Sequence, residues 1–109
     1  MSTRIIALFN LKKGVTPADY ERWAKRVDLP TVNGLKSVDG FEVYRATGLL
    51  GSSAAPPYKY IEVIDVGDMD EFGKEVASER MRKVAGEFQS MADDLFFIMT
   101  EKIGGPHAV

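Results

Sequence analysis

Apolar and polar positions alternate along this chain in two distinguishable rhythms. Ile5 to Leu11 is apolar apart from Asn10 and stops at Lys12-Lys13-Gly14, which predicts a buried strand. Thr16 can cap a helix, with Pro17 at its first position and Asp19 in its first turn. Val15 and Tyr20 are spaced for a hydrophobic staple across that cap. Tyr20, Trp23, Ala24 and Val27 then recur at helical spacing. Pro30 ends this helix, or kinks it into a short further turn before Asn33-Gly34. Phe41 to Thr47, after the turn pair Asp39-Gly40, predicts a second strand. The Gly-, Ser-, Ala- and Pro-rich stretch from Gly48 to Pro57 predicts a long, mobile hairpin loop, and Tyr58 to Val66 a third strand. Asp68 with Glu71 forms a capping-box pattern ahead of a helical piece carrying Phe72 and Val76. Ser78 can cap a second piece, in which Met81, Val84, Ala85, Phe88 and Met91 make an apolar stripe. Leu95 to Lys102 predicts a fourth strand, and Gly104 to Val109 a frayed or exposed tail.

The resulting order, βαβ followed by βαβ, predicts an α+β domain of ferredoxin-like βαββαβ topology. Two right-handed βαβ units place both helices on one face of a four-stranded antiparallel sheet. The strands are apolar on both faces: Ile5, Ala7 and Phe9 oppose Ile6 and Leu8, and Phe97 and Met99 oppose Phe96 and Ile98. Helices on one side leave the other bare, and a second copy of the sheet is the simplest cover. A homodimer in the form of a dimeric α/β barrel follows. The rival is a monomer whose long loop folds over the open face.

Composition narrows the function. With 109 residues, the chain fits one domain over 1–109. Fourteen Lys and Arg against sixteen Asp and Glu give a net charge of −2 and no basic stripe, which argues against nucleic acid as a partner. There is no cysteine, so disulfides, thiolate metal sites and cysteine nucleophiles are excluded, and a cytoplasmic location is expected. The N-terminal apolar run is too short to span a bilayer, so no membrane association is expected.

The stretches Leu8-Phe9-Asn10-Leu11-Lys12, Tyr20-Glu21-Arg22-Trp23-Ala24, Val27-Asp28-Leu29-Pro30-Thr31-Val32, Phe41-Glu42-Val43-Tyr44-Arg45-Ala46, Tyr60-Ile61-Glu62-Val63-Ile64-Asp65-Val66 and Leu95-Phe96-Phe97 form a long ordered set. In them the chain resembles the RedY-like (HapK-type) members of the dimeric α/β-barrel superfamily, from Ile5 to about Glu101. The resemblance implies the fold and the dimer, and an association with prodigiosin-type pigment biosynthesis. It supplies no agreed catalytic residues. A wider resemblance is to EthD-like and antibiotic-biosynthesis monooxygenase proteins. EthD-like chains tend to carry a histidine two residues before a proline after the first helix, where this chain has Asp28, so imidazole chemistry does not carry over.

The same resemblance implies a pocket between helices and sheet, so polar groups within apolar elements are the candidates. Asp28, Arg45 and Glu62 are the candidate catalytic residues; Asn10, Tyr20, Trp23 and Tyr60 are the candidate ligand-binding ones. Arg45 and Glu62, on two strands expected to be central, are compatible with a buried ion pair, either functional or structural. Asp28 can be a general base if burial raises its pKa, or can cap the turn at Pro30. Tyr20 and Trp23 can stack on a flat ligand, with Trp23 lining the pocket, or can be plain core. Asn10 can orient a ligand carbonyl or bond the backbone of a turn. His107, the only histidine, sits in the tail, which leaves no histidine-ligated haem, zinc site or Ser-His-Asp triad. No metal and no cofactor are expected. Two functions stay open: a homodimer binding a small aromatic or pyrrole-like metabolite, with cofactor-independent acid/base chemistry in pigment or other secondary metabolism, or a non-catalytic accessory protein that stabilises an intermediate or partner enzyme. An RNA-binding module ranks last, since Tyr60-Ile61-Glu62-Val63 is acidic and lacks the expected aromatic motif.

Overall fold

The computed structural model describes residues 3–106. The chain runs β1 (Thr3–Leu11), α1 (Pro17–Trp23), a π-helical turn (Ala24–Asp28), α2 (Leu29–Asn33), β2 (Val38–Arg45), β3 (Tyr60–Val66), α3 (Met69–Val76), α4 (Glu79–Met91) and β4 (Ala92–Met99). The strands form one antiparallel sheet in the order β2-β3-β1-β4. This is the ferredoxin-like α+β arrangement, with β1 and β3 central. His107 and the end of the tail lie outside the described residues.

Three caps start the helices as their sequences require. Thr16, Asp68 and Ser78 each accept a hydrogen bond from the amide three residues on, at 3.1, 3.1 and 3.2 Å. Pro30 does not stop the first helix. The π-turn takes up one extra residue, and helical backbone continues through α2 to Asn33. The expected strand limits shift where pairing is non-local. β4 starts at Ala92, directly after α4, with Asp94 at φ 51° and a register slip opposite Leu8 to Asn10. It ends at Met99 rather than Lys102. β2 starts at Val38, which pairs with Val66 across a slip near Asp39.

The helices cover the face formed by Ile5, Ala7, Phe9, Phe41, Tyr60, Ile64 and Val66, all buried. On the opposite face Tyr44, Phe96 and Ile98 stay exposed, by 49, 54 and 45%. The molecule measures 38 × 38 × 20 Å, a slab one sheet and one helical layer thick. The β2–β3 loop does not close over the bare face. Its end is tied down at Pro57 and Lys59 by Asn10, and Tyr58 touches the edge of Phe96.

Candidate active site

A cavity of about 160 Å³ lies between the helices and the sheet. Two acids reach it. Glu62 stands midway along β3, between Ala7 on β1 and Val43 on β2 in register. The short side chain of Ala7 leaves room beside it. Asp28 comes from the opposite layer, at the end of the π-turn. The remaining wall is apolar and draws on both halves of the core: Val32, Phe41, Ile64, Met81 and Val84 with Phe88, and Phe97 at the edge.

Burial governs the chemistry of these acids. Asp28 is 6% and Glu62 3% exposed. Desolvation lifts Asp28 to about 7. Burial, then the charge of Asp28, lifts Glu62 to about 8, against the opposing effect of a hydrogen bond. That bond is donated by the Tyr20 hydroxyl to Glu62 Oε2 at 3.3 Å. Burial and Glu62 together push the Tyr20 hydroxyl well above its ordinary range, so it stays protonated as a donor. The Asp28 carboxyl has no hydrogen-bond partner among the described residues, and it does not cap the turn at Pro30. The helix runs continuously through Asp28, so capping is overturned: no free amide of a helix start lies within its reach.

The expected Arg45–Glu62 pair does not form. Arg45 sits opposite Tyr60, and Glu62 opposite Val43, with β2 an edge strand. The Arg45 guanidinium instead grips Glu21 of α1 with two bonds of 2.8 and 2.6 Å, and the Tyr60 hydroxyl donates to the same carboxylate at 2.7 Å. At that half-open rim the ion pair keeps part of its hydration, which a buried pair would lose. Arg45 and Tyr60 hold Glu21 down at about 2. These residues and Tyr20 line a second groove of about 230 Å³. Tyr20 therefore stands between groove and cavity.

Asn10 and Trp23 both stand away from the cavity, and for Asn10 the backbone-bonding alternative is the one the structure shows. Asn10 points to the bare sheet face, away from the cavity, and its amide bonds Pro57 O and Lys59 N at 3.1 and 2.9 Å, so it serves the loop backbone. Trp23 does not line the cavity. Its indole donates to Glu87 at 2.9 Å and stacks on Phe88 at 6.2 Å, one side chain removed from the space. Glu21 and Phe97 emerge as site residues that pattern alone did not single out. Glu21 is one polar residue among many on an exposed helix face, whereas the strand alternation that put Phe97 on the helix side was a usable signal. Among the described residues no group of three or more acidic, histidine or cysteine side chains could hold a metal ion.

The family model of the REDY-like protein HapK matches residues 3–103. The chain belongs to that family. The crystal structure of HapK from Hahella chejuensis is 30% identical, covers 100% of this chain and 99% of its own, and superposes with a TM-score of 0.76. A dimeric ferredoxin-like protein from Thermobifida fusca is 23% identical over 92% of this chain and 90% of its own, with a TM-score of 0.72. A mutant of SnoaB, a cofactor-independent oxygenase from Streptomyces nogalater, shares the fold at 11% identity and a TM-score of 0.76, with 97% of each chain covered. No curated protein matches the sequence.

Proposed function

We propose that this protein is a homodimer that binds a small, partly aromatic or pyrrole-like metabolite in the Asp28–Glu62 cavity and acts on it by acid/base chemistry without a cofactor, in pigment or other secondary metabolism. The pair of buried acids in an otherwise apolar space carries this reading. Acids lifted to about 7 and about 8 sit where proton transfer at neutral pH is efficient. A group near its own pKa both gives and accepts a proton, and the apolar wall excludes competing water. Support from outside the chain comes from the SnoaB neighbour, an oxygenase that needs no cofactor, on the same fold.

Titration with bipyrroles, aromatic polyketides and simple phenols tests the reading. Trp23 reports binding through its stack on Phe88, so saturable quenching by one class is expected. Asp28→Asn and Glu62→Gln are expected to lower turnover of that ligand by about 10²–10⁴-fold, the usual contribution of acid–base groups. Saturable binding with no turnover in the unmodified protein would give the accessory-protein function instead. No binding by any class would remove the cavity from consideration.

A further inference from the structure

Donors and acceptors do not balance in the Asp28–Glu62 cavity. Two carboxyl groups face it, and among the described residues no lysine, arginine or histidine lines it. Glu62 receives one hydrogen bond, from Tyr20. Asp28, nine-tenths buried, receives none among the described residues. A carboxyl group keeps acceptor sites whether it is ionised or carries its proton, so acceptor capacity here goes unused. The Asp28 oxygens open onto the cavity rather than being sealed in the core, so whatever occupies that space decides how they are satisfied.

We propose that the cavity accepts an aromatic nitrogen base, held by N–H groups that reach Asp28 and Glu62, and that it rejects an anionic ring of the same shape. The inference rests on the reading of this cavity as the ligand site and names the chemical class that enters it. A cationic N–H donor supplies what the two acids lack: hydrogen bonds for Asp28 and a countercharge for the pair. Charge-assisted bonds of this kind are short, and the apolar wall strengthens them. A carboxylate ligand would instead bring a third acid beside two, with no cation to offset it. Size agrees with one ring and a polar arm, because a cavity of about 150 Å³ lined by apolar side chains holds benzene. A longer ligand would extend past Phe97, which is 52% exposed at the cavity edge.

Three isosteric probes separate charge from shape: benzamidine, benzamide and benzoate, titrated calorimetrically into the full-length protein near neutral pH. The expected order of affinity is benzamidine, then benzamide, then benzoate, with about tenfold or more between the first and last, the factor that a single well-placed interaction supplies. Asp28→Asn is expected to remove most of the preference for benzamidine over benzamide. Ala85→Leu, which fills the cavity from its open side and leaves both acids in place, is expected to weaken benzamidine and benzamide alike, and it stands in if the Asp28 variant does not fold. Benzoate binding as tightly as benzamidine would overturn the proposal while leaving the ligand site intact. Benzamidine binding untouched by either variant would place it elsewhere and also overturn it. If none of the three binds, the proposal falls; if bipyrroles and phenols fail as well, the ligand site falls with it.

Discussion

Glu62 and Asp28 tie the stability of the protein to pH with a definite sign. Both are acids whose folded pKa is raised, to about 8 and about 7, by burial. The native state therefore holds more protons than the unfolded chain between the ordinary carboxyl range and those values. Their contribution is fully present below about pH 4 and is lost as pH rises toward about 8. The unfolding free energy from denaturant titrations is expected to fall over that window by several kcal/mol in all. Glu62→Gln keeps an acceptor for Tyr20 and cannot ionise, so its denaturation midpoint is expected to stay flatter and to exceed the wild type's near about pH 8. A wild-type midpoint that rises with pH would refute the burial of the pair. At this scale the sequence revealed the two acids as polar interruptions of apolar elements. It concealed their meeting, because the direction of Asp28 depends on the extra residue of the π-turn. It also misassigned Arg45, whose reach to Glu21 depends on how α1 lies over β2.

Side-chain bonds to backbone tie α2 and α3 to β2 and to the segment leading into it. Asn33, at the end of α2, accepts from Phe41 N at 2.9 Å and donates to Phe41 O at 3.0 Å, acting as a partner for the outer side of β2. Glu75 of α3 accepts from Lys36 N and Ser37 N, both at 2.9 Å. Asn33→Ala is expected to cost about 1–3 kcal/mol, because it leaves a part-buried strand amide unsatisfied. Faster hydrogen exchange at the Phe41 amide would locate the loss. Ser78→Ala is expected to cost about 1 kcal/mol in thermal unfolding through the lost cap of α4. Caps were legible because donor and acceptor lie three residues apart. The start of β4 and the slip in β2 were not, since pairing with strands far away in sequence sets both.

The bare sheet face governs the behaviour of the whole molecule. Ile6, Leu8, Ile61 and Val63 lie between Tyr44, Phe96 and Ile98 on that face, and each large apolar side chain gains about 1.5–3 kcal/mol when fully removed from water. The homodimer proposed above covers it with a second copy of the same face. Sedimentation is expected to give about 24 kDa, twice 12.1 kDa. Ile98→Arg, on an edge strand, is expected to shift the protein to monomer with its helical signal retained; a dimer that survives this change would place the interface elsewhere. Strand alternation made this face legible, since it depends only on the two-residue period.

The π-turn at Ala24–Asp28 also bears on how the carboxyl pair is kept together. Successive helical residues differ by about 100° around the axis. Were the same residues wound as ordinary α-helix, everything after the turn would swing by that angle, and Asp28 would leave the cavity while Tyr20 and Glu62 stayed where they are. The wider turn absorbs the surplus residue instead, so Asp28 and α2 keep their places. Deleting Lys25 or Arg26 would restore ordinary helix with Asp28 still facing the cavity, so the carboxyl pair tolerates a change of length here that a regular helix would not.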